Sequence, residues 1–195
     1  MTQSSLEPLL TATQIATRVA DMGQELSKYY GGKNPLLVAI LKGSYMFLAD
    51  LSRAMAEPHE IDFVATAAYQ GDKPLPGNVR LLKDMDLDIA GRHVLIVEDI
   101  VDSGRTLAKI CALFVARRPA SLQVVTLLDK PDCRVEKVPV MLSGFDVPDR
   151  FVVGYGLDLA EQYRHLDGIY ICADDKDATN ASVRAGHDNM EKKFE

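Results

Sequence analysis

The stretch Val94-Leu95-Ile96-Val97-Glu98-Asp99-Ile100-Val101-Asp102-Ser103-Gly104-Arg105-Thr106 decides the fold. Its four leading aliphatic residues read as a strand buried on both faces. The strand is expected to end in two adjacent carboxylates, followed by a tight turn and a helix opened by Gly104. That helix would carry Leu107, Ile110, Cys111 and Phe114 on one face. Arg117 and Arg118 are expected in its last turn, where cations suit the helix dipole, and Pro119 stops it. Open α/β sheets take ligands at the carboxyl ends of their strands, so the turn is where chemistry is expected. A small residue, a glycine and a hydroxyl residue let backbone N–H groups point outward there. Joined to the positive end of the helix dipole, they form an anion cradle. A Walker A loop is excluded, because that needs GxxxxGK followed by Ser or Thr.

Two carboxylates in front of a phosphate cradle suit a ligand with paired hydroxyls beside a phosphate, such as a ribose 5-phosphate. The plainer reading makes Glu98 and Asp99 solvated loop acids and Asp102 a helix cap. Crowding Glu98, Asp99 and Asp102 behind an aliphatic strand makes that reading costly, because unpaired carboxylates repel unless a cation sits among them.

Outward from this stretch, Ile15, Val19, Met22, Leu26 and Tyr29 recur at helical spacing, and Gly31-Gly32 ends the helix. Leu36 to Leu41 reads as a second buried strand. Phe47, Leu48, Leu51 and Met55 mark a helix that Pro58 prevents from continuing. Ile61 to Tyr69 is a β-branched and aromatic strand, followed by a loop with Gly71, Pro74, Pro76 and Gly77. Further strands are expected at Leu122–Leu128, Val138–Leu142, Phe151–Val153 and Ile169–Cys172. Alternating apolar strands and helices imply an α/β fold around a mostly parallel sheet.

The chain has 195 residues, 47% hydrophobic and 26% charged, which suits a single domain spanning 1–195, since domains average about 100–200 residues. Residues 173–195 read as a surface tail or frayed helix. Against 22 Lys and Arg stand 28 Asp and Glu, a net charge of −6. Such a surface disfavours nucleic acid or an anionic membrane as a partner. The longest apolar run, Ile110 to Ala116, falls far short of the roughly 20 residues a membrane helix needs. Three cysteines without CxxC spacing argue against a disulfide framework or zinc site. Met1 to Pro8 has no basic residue ahead of an apolar core, so a cytoplasmic protein is expected.

Val97 to Leu107 resembles the phosphoribosyl-pyrophosphate signature of the type I phosphoribosyltransferases. The likeness runs from about Leu36 to Cys172 and is strongest to the hypoxanthine–guanine group. It implies that family's fold, a central mostly parallel sheet flanked by helices, with a small hood and a flexible lid loop. It also implies a purine-salvage transferase that makes IMP or GMP from phosphoribosyl pyrophosphate and a 6-oxopurine, with magnesium, as a homodimer or homotetramer. Glu98 and Asp99 would lie by the ribose hydroxyls. The backbone of Asp102, Ser103, Gly104, Arg105 and Thr106 would hold the 5-phosphate, and Asp102 would exchange a proton with purine N7. Leu41-Lys42-Gly43 matches the pyrophosphate loop, whose Leu-Lys peptide can be cis in the family. A lone LKG is otherwise an ordinary loop.

Lys130 would read O6 of the purine, though without the family match it is a surface turn lysine. Phe151 to Asp158 resembles the base-binding segment: Phe151 would stack on the base and Val152 would offer its backbone. Asp158 would lie near the 2-position and, with Glu98 and Asp99, near the metal. Arg164 would reach the pyrophosphate. Ala68 and Tyr69 stand at the start of the lid, where the family commonly has Ser-Tyr. The hydroxyl before the tyrosine is therefore missing. Two rivals remain at this stage: a xanthine–guanine phosphoribosyltransferase, and a non-enzymatic regulator that senses phosphoribosyl pyrophosphate. The acidic net charge speaks against the second.

Overall fold

A computed structural model describes residues 6–68 and 79–172 of the chain. Tyr69, the lid loop expected after it and the 173–195 tail lie outside the described residues. The strands are β1 (Leu6–Leu10), β2 (Leu36–Leu41), β3 (Glu60–Ala68), β4 (Val79–Lys83), β5 (His93–Val101), β6 (Ser121–Asp129), β7 (Val140–Asp146), β8 (Val152–Val153) and β9 (Ile169–Cys172). The helices are α1 (Ala12–Tyr30), α2 (Tyr45–Ala54) and α3 (Arg105–Val115).

Six strands form the central sheet in the order β4-β3-β2-β5-β6-β7, parallel except for β4 at one edge. Its strands alternate between two apolar layers. Leu37, Ala39, Leu95 and Val97 face α1 and α2, while Leu36, Val38, Ile40, Val94 and Ile96 face α3. Leu107, Ile110, Cys111 and Phe114 are all buried on α3, at the spacing read from the sequence. A second, three-stranded antiparallel sheet, β1-β9-β8, forms the hood.

Three local expectations are corrected. Strand β5 does not stop at Val97: it runs through Glu98 and Asp99 to Val101, because β6 continues alongside and pairs Glu98 with Thr126 and Ile100 with Leu128. The two acids are therefore held on a rigid strand, not on a loop. Arg117 and Arg118 lie beyond the last turn of α3, which closes at Val115. Arg117 is drawn to Asp84, its Nη2 2.6 Å from Oδ2, and Arg118 has φ +57°. On α1 the buried residue of the last turn is Tyr30, while Tyr29 is exposed with Lys33 over its ring.

Candidate active site

Three segments converge at the carboxyl end of the central sheet. The first leaves β2. The Leu41-Lys42 peptide is cis, and Gly43 follows it. A Cβ at Gly43 would lie 1.6 Å from Asp99 Oδ2, so the absence of a side chain is what lets this loop lie against the β5 acids. Ser44 anchors the loop from inside, its buried hydroxyl donating to the Ile40 carbonyl.

The second segment joins β5 to α3. Gly104 adopts φ +77°, and a Cβ there would meet the Glu136 carbonyl at 2.7 Å. The turn is braced through its carbonyls: Ser103 O accepts from the N–H groups of Val135 and Glu136, and Val101 O from that of Lys130. Its amides are left over. Among the described residues, no backbone N–H of 102–106 finds a protein acceptor. At a helix N-terminus these are the orphan donors that bind anions. A cleft of about 260 Å³ is lined by Leu41, Lys42, Gly43, Glu98, Asp99, Thr66 and residues 102–106.

The acids of the cleft are strongly perturbed. Burial, and then the Asp99 charge, push Glu98 well above the ordinary carboxylate range, and its Oε2 is buried without a hydrogen-bond partner among the described residues. Burial pushes Asp99 up to about 6, against the Ile100 N–H and the Arg164 charge, which favour its ionised form. Lys130 is 7% exposed, and its ammonium lies 3.7 Å from Asp102 Oδ2 and 3.5 Å from Asp149 Oδ1.

The third segment carries Asp158 and Arg164. Gly156 packs against the pyrophosphate-loop candidate, since a Cβ there would lie 2.1 Å from Gly43 O. Tyr155 pins the segment to α2 by donating its hydroxyl to Asp50. Arg164 Nη1 donates to Gly156 O at 2.7 Å, while Nη2 faces Asp158 Oδ1 at 2.8 Å and Glu161 Oε2 at 3.3 Å. Lys42 Nζ donates to the same Glu161 oxygen at 2.9 Å.

The geometry thus brings Lys42, Gly43, Glu98, Asp99 and the 102–106 turn around one cleft, with Lys130 reaching it through Asp102. Phe151 and Val152 belong to the hood and do not line this cleft: Val152 pairs with Ile171 in β8, and Phe151 O accepts from Cys172 N. Asp158 and Arg164 form their own ion pair beside Lys42. Sequence reading gave no role to Thr66, Asp149 or Glu161. Asp149 stood next to the quoted base-binding segment and Glu161 just before Arg164, but a carboxylate near a motif does not announce its partner.

The family model described as Phosphoribosyl transferase domain matches residues 5–160. The chain belongs to the phosphoribosyltransferase family. Among its relatives is a hypoxanthine phosphoribosyltransferase of Salmonella typhimurium (strain LT2), 46% identical over 164 residues, 83% of this chain and 92% of that one. A hypoxanthine-guanine phosphoribosyltransferase of Mycobacterium avium is 47% identical over 167 residues, covering 83% and 82% of the two chains. Of the solved structures, the hypoxanthine phosphoribosyltransferase of Trypanosoma cruzi in complex with the product IMP superposes with a TM-score of 0.82. It is 37% identical and covers 88% of this chain and 96% of that chain. The phosphoribosyltransferase fold expected from the sequence is the fold observed, and the chain is an enzyme of that transferase class.

Proposed function

We propose that this phosphoribosyltransferase transfers the 5-phosphoribosyl group of phosphoribosyl pyrophosphate to N9 of hypoxanthine or guanine, releasing pyrophosphate and IMP or GMP. One observation carries the reading: two strand-held carboxylates and a turn of uncommitted amides share a single cleft with the Lys42 loop. An anion and a diol side by side would use both halves of that cleft.

In this reading the N–H groups of Ser103, Gly104, Arg105 and Thr106 hold the 5-phosphate, and Glu98 and Asp99 face the ribose hydroxyls. Leu41, Lys42 and Gly43 cradle the pyrophosphate, and Arg164 takes its far side. Carboxylates close to the ribose also favour the positive charge that develops at C1 as the bond to pyrophosphate breaks. Asp102 holds the proton of purine N7, and its ion pair with Lys130 keeps proton acceptor and O6 donor a fixed distance apart. Phe151 stacks on the base and Val152 contributes its backbone, with Asp158 toward the 2-position. Ala68 and Tyr69 start the lid that excludes water from the reacting sugar.

A magnesium ion fits this donor set. Glu98 offers a buried oxygen with no hydrogen-bond partner among the described residues, and Asp99 and Asp158 are further hard oxygen donors. Among the described residues no three His, Cys, Asp or Glu side chains converge to hold an ion alone. That suits an ion that takes the rest of its ligands from substrate oxygens and water. When bound, it would neutralise charge on the departing pyrophosphate.

Among the described residues Cys111 and Cys133 stand in no disulfide, which fits a reducing compartment, and we assign the enzyme to the cytoplasm. Light scattering after gel filtration tests the expected homodimer or homotetramer. Activity is tested by incubating the protein with phosphoribosyl pyrophosphate, magnesium and, in parallel, hypoxanthine, guanine, xanthine and adenine, with pyrophosphate release as readout. Turnover of the first two is expected. No release with either would overturn the reading, and xanthine as the preferred base would correct the specificity.

A further inference from the structure

The two cations assigned to the pyrophosphate, Lys42 and Arg164, already share an anion. Glu161 Oε2 lies 2.9 Å from Lys42 Nζ and 3.3 Å from Arg164 Nη2. One carboxylate oxygen bridges both, across 119 residues of sequence in the first case. Arg164 is fixed through its other nitrogen to Gly156 O, so the guanidinium presents a set face and Glu161 meets it there. The Lys42 hydrogen bond, ahead of the Arg164 charge, holds the Glu161 carboxyl below its ordinary range, so it is ionised at neutral pH.

The backbone beneath Glu161 is unusual. Leu159 and Gln162 exchange both backbone hydrogen bonds, which leaves Ala160 and Glu161 as the two tip residues of a tight turn. Both tip residues have positive φ, +52° and +64°, the condition of a type I′ turn, which strongly prefers Asn-Gly or Asp-Gly. A glutamate here is conformationally unfavourable, and the surroundings that hold it are the two cations of the site. Its backbone N–H is tied to Asp158 Oδ2, so the side chain is not needed to close the turn.

We propose that Glu161 is a built-in competitor of pyrophosphate: its carboxylate occupies the cation pair in the free enzyme and reoccupies it as the product leaves. The inference rests on the reading of Lys42 and Arg164 as pyrophosphate ligands. Binding the diphosphate then requires Glu161 to give up both partners, which weakens affinity. The same exchange speeds departure, and product release limits turnover in many enzymes. Glu161 is a positioning and release residue and is assigned no part in bond breaking.

The test compares wild-type and Glu161→Gln proteins by calorimetry, with magnesium pyrophosphate and with IMP as separate probes. Because Glu161 and Lys42 are 61% and 65% exposed, each ion pair is screened and modest. Pyrophosphate should bind about three- to tenfold more tightly to the variant, with the gain shrinking in molar salt. IMP lacks the diphosphate, so its affinity should stay within about twofold. Pyrophosphate affinity that is unchanged or weaker in Glu161→Gln overturns the inference. Weakening of both probes would make Glu161 a structural brace and overturns it too. If the wild-type protein binds neither probe, the reading of the site falls and the inference with it.

Discussion

Gly43 tests the geometry of the cleft most directly. In Gly43→Ala the new methyl carbon would stand 1.6 Å from Asp99 Oδ2, where ordinary contact begins at 3.4 Å. The pair must therefore separate by nearly 2 Å. Asp99 sits beyond the β2 pairing but between Glu98 and Ile100, both paired with β6, so its backbone resists the displacement. The carboxylate or the Lys42 loop has to yield instead. Rotating one carboxylate or shifting one exposed loop leaves the core layers untouched, so stability should fall by at most about 1–2 kcal/mol. Function has no such slack, since a 1 Å misplacement of a catalytic group can cost about 10²-fold. The expected result is a loss of about 10²-fold or more in kcat/KM for phosphoribosyl pyrophosphate. The assay pairs steady-state kinetics with urea unfolding. Gly31→Ala, whose Cβ would make only ordinary contacts, serves as control. A Gly43→Ala enzyme within tenfold of wild type would show that the loop does not lie against Asp99 in the working state.

Three other substitutions separate chemistry, specificity and stability. Asp102→Ala should lower kcat by about 10²–10⁴-fold with the fold intact if Asp102 handles the N7 proton, and near-native turnover would remove it from that role. Lys130→Gln should blunt the preference for hypoxanthine over adenine in a competition assay, and an unaltered ratio would show that Lys130 does not read O6. Asp62 is 5% exposed and accepts from the N–H groups of Phe63, Asp86 and Leu87. Burial alone would raise its pKa, but those three donors and Lys83 outweigh it and hold the carboxyl below the ordinary range. Asp62→Ala should therefore cost about 2–4 kcal/mol in urea unfolding at neutral pH. Because the folded pKa is the lower one, the part of that contribution carried by the ionised carboxylate should be whole above about pH 4 and be lost as pH falls through the folded value. A gap to wild type that stays constant into acid would refute the assignment.

The parts of the fold that were legible are those where burial is symmetric. Leu36 to Leu41 and Val94 to Val97 are apolar at every position because sheet layers cover both faces, and α3 shows its one buried stripe without ambiguity. The missed strands carry no such mark. Leu6–Leu10 contains Pro8, exposes Glu7 and Pro8, and has no fully buried residue. Val79–Lys83 is an edge strand with charges at Arg80 and Lys83. The length of β5 was misread for the same reason in reverse: Glu98 and Asp99 look like loop residues, and it is the pairing with β6 that keeps them extended. At the site, the 102–106 turn and its helix start could be read because their residues are contiguous. The links from Lys42 to Glu161 and from Lys130 to Asp149 join distant segments, and nothing local encodes them.

The arrangement of charge explains why the site needs so many chain segments. Burial of their carboxyls raises the proton affinity of Glu98 and Asp99, the Asp99 charge adds to it for Glu98 and the Asp158 charge for Asp99, so the free enzyme holds both acids in an unfavourable state. The nearby cations are each committed to other carboxylates: Lys130 to Asp102 and Asp149, Lys42 to Glu161, and Arg164, whose charge relieves Asp99 only in part, to Asp158 and Glu161. Each half of the site is thus held by a different part of the protein, and a ligand carrying both a diol and a diphosphate would engage both halves at once. A ligand with only one of these groups engages half of the site, and a surface carboxylate can displace it. On the proposed assignment of the site, selectivity for the intact sugar diphosphate over its product fragments would follow from that division.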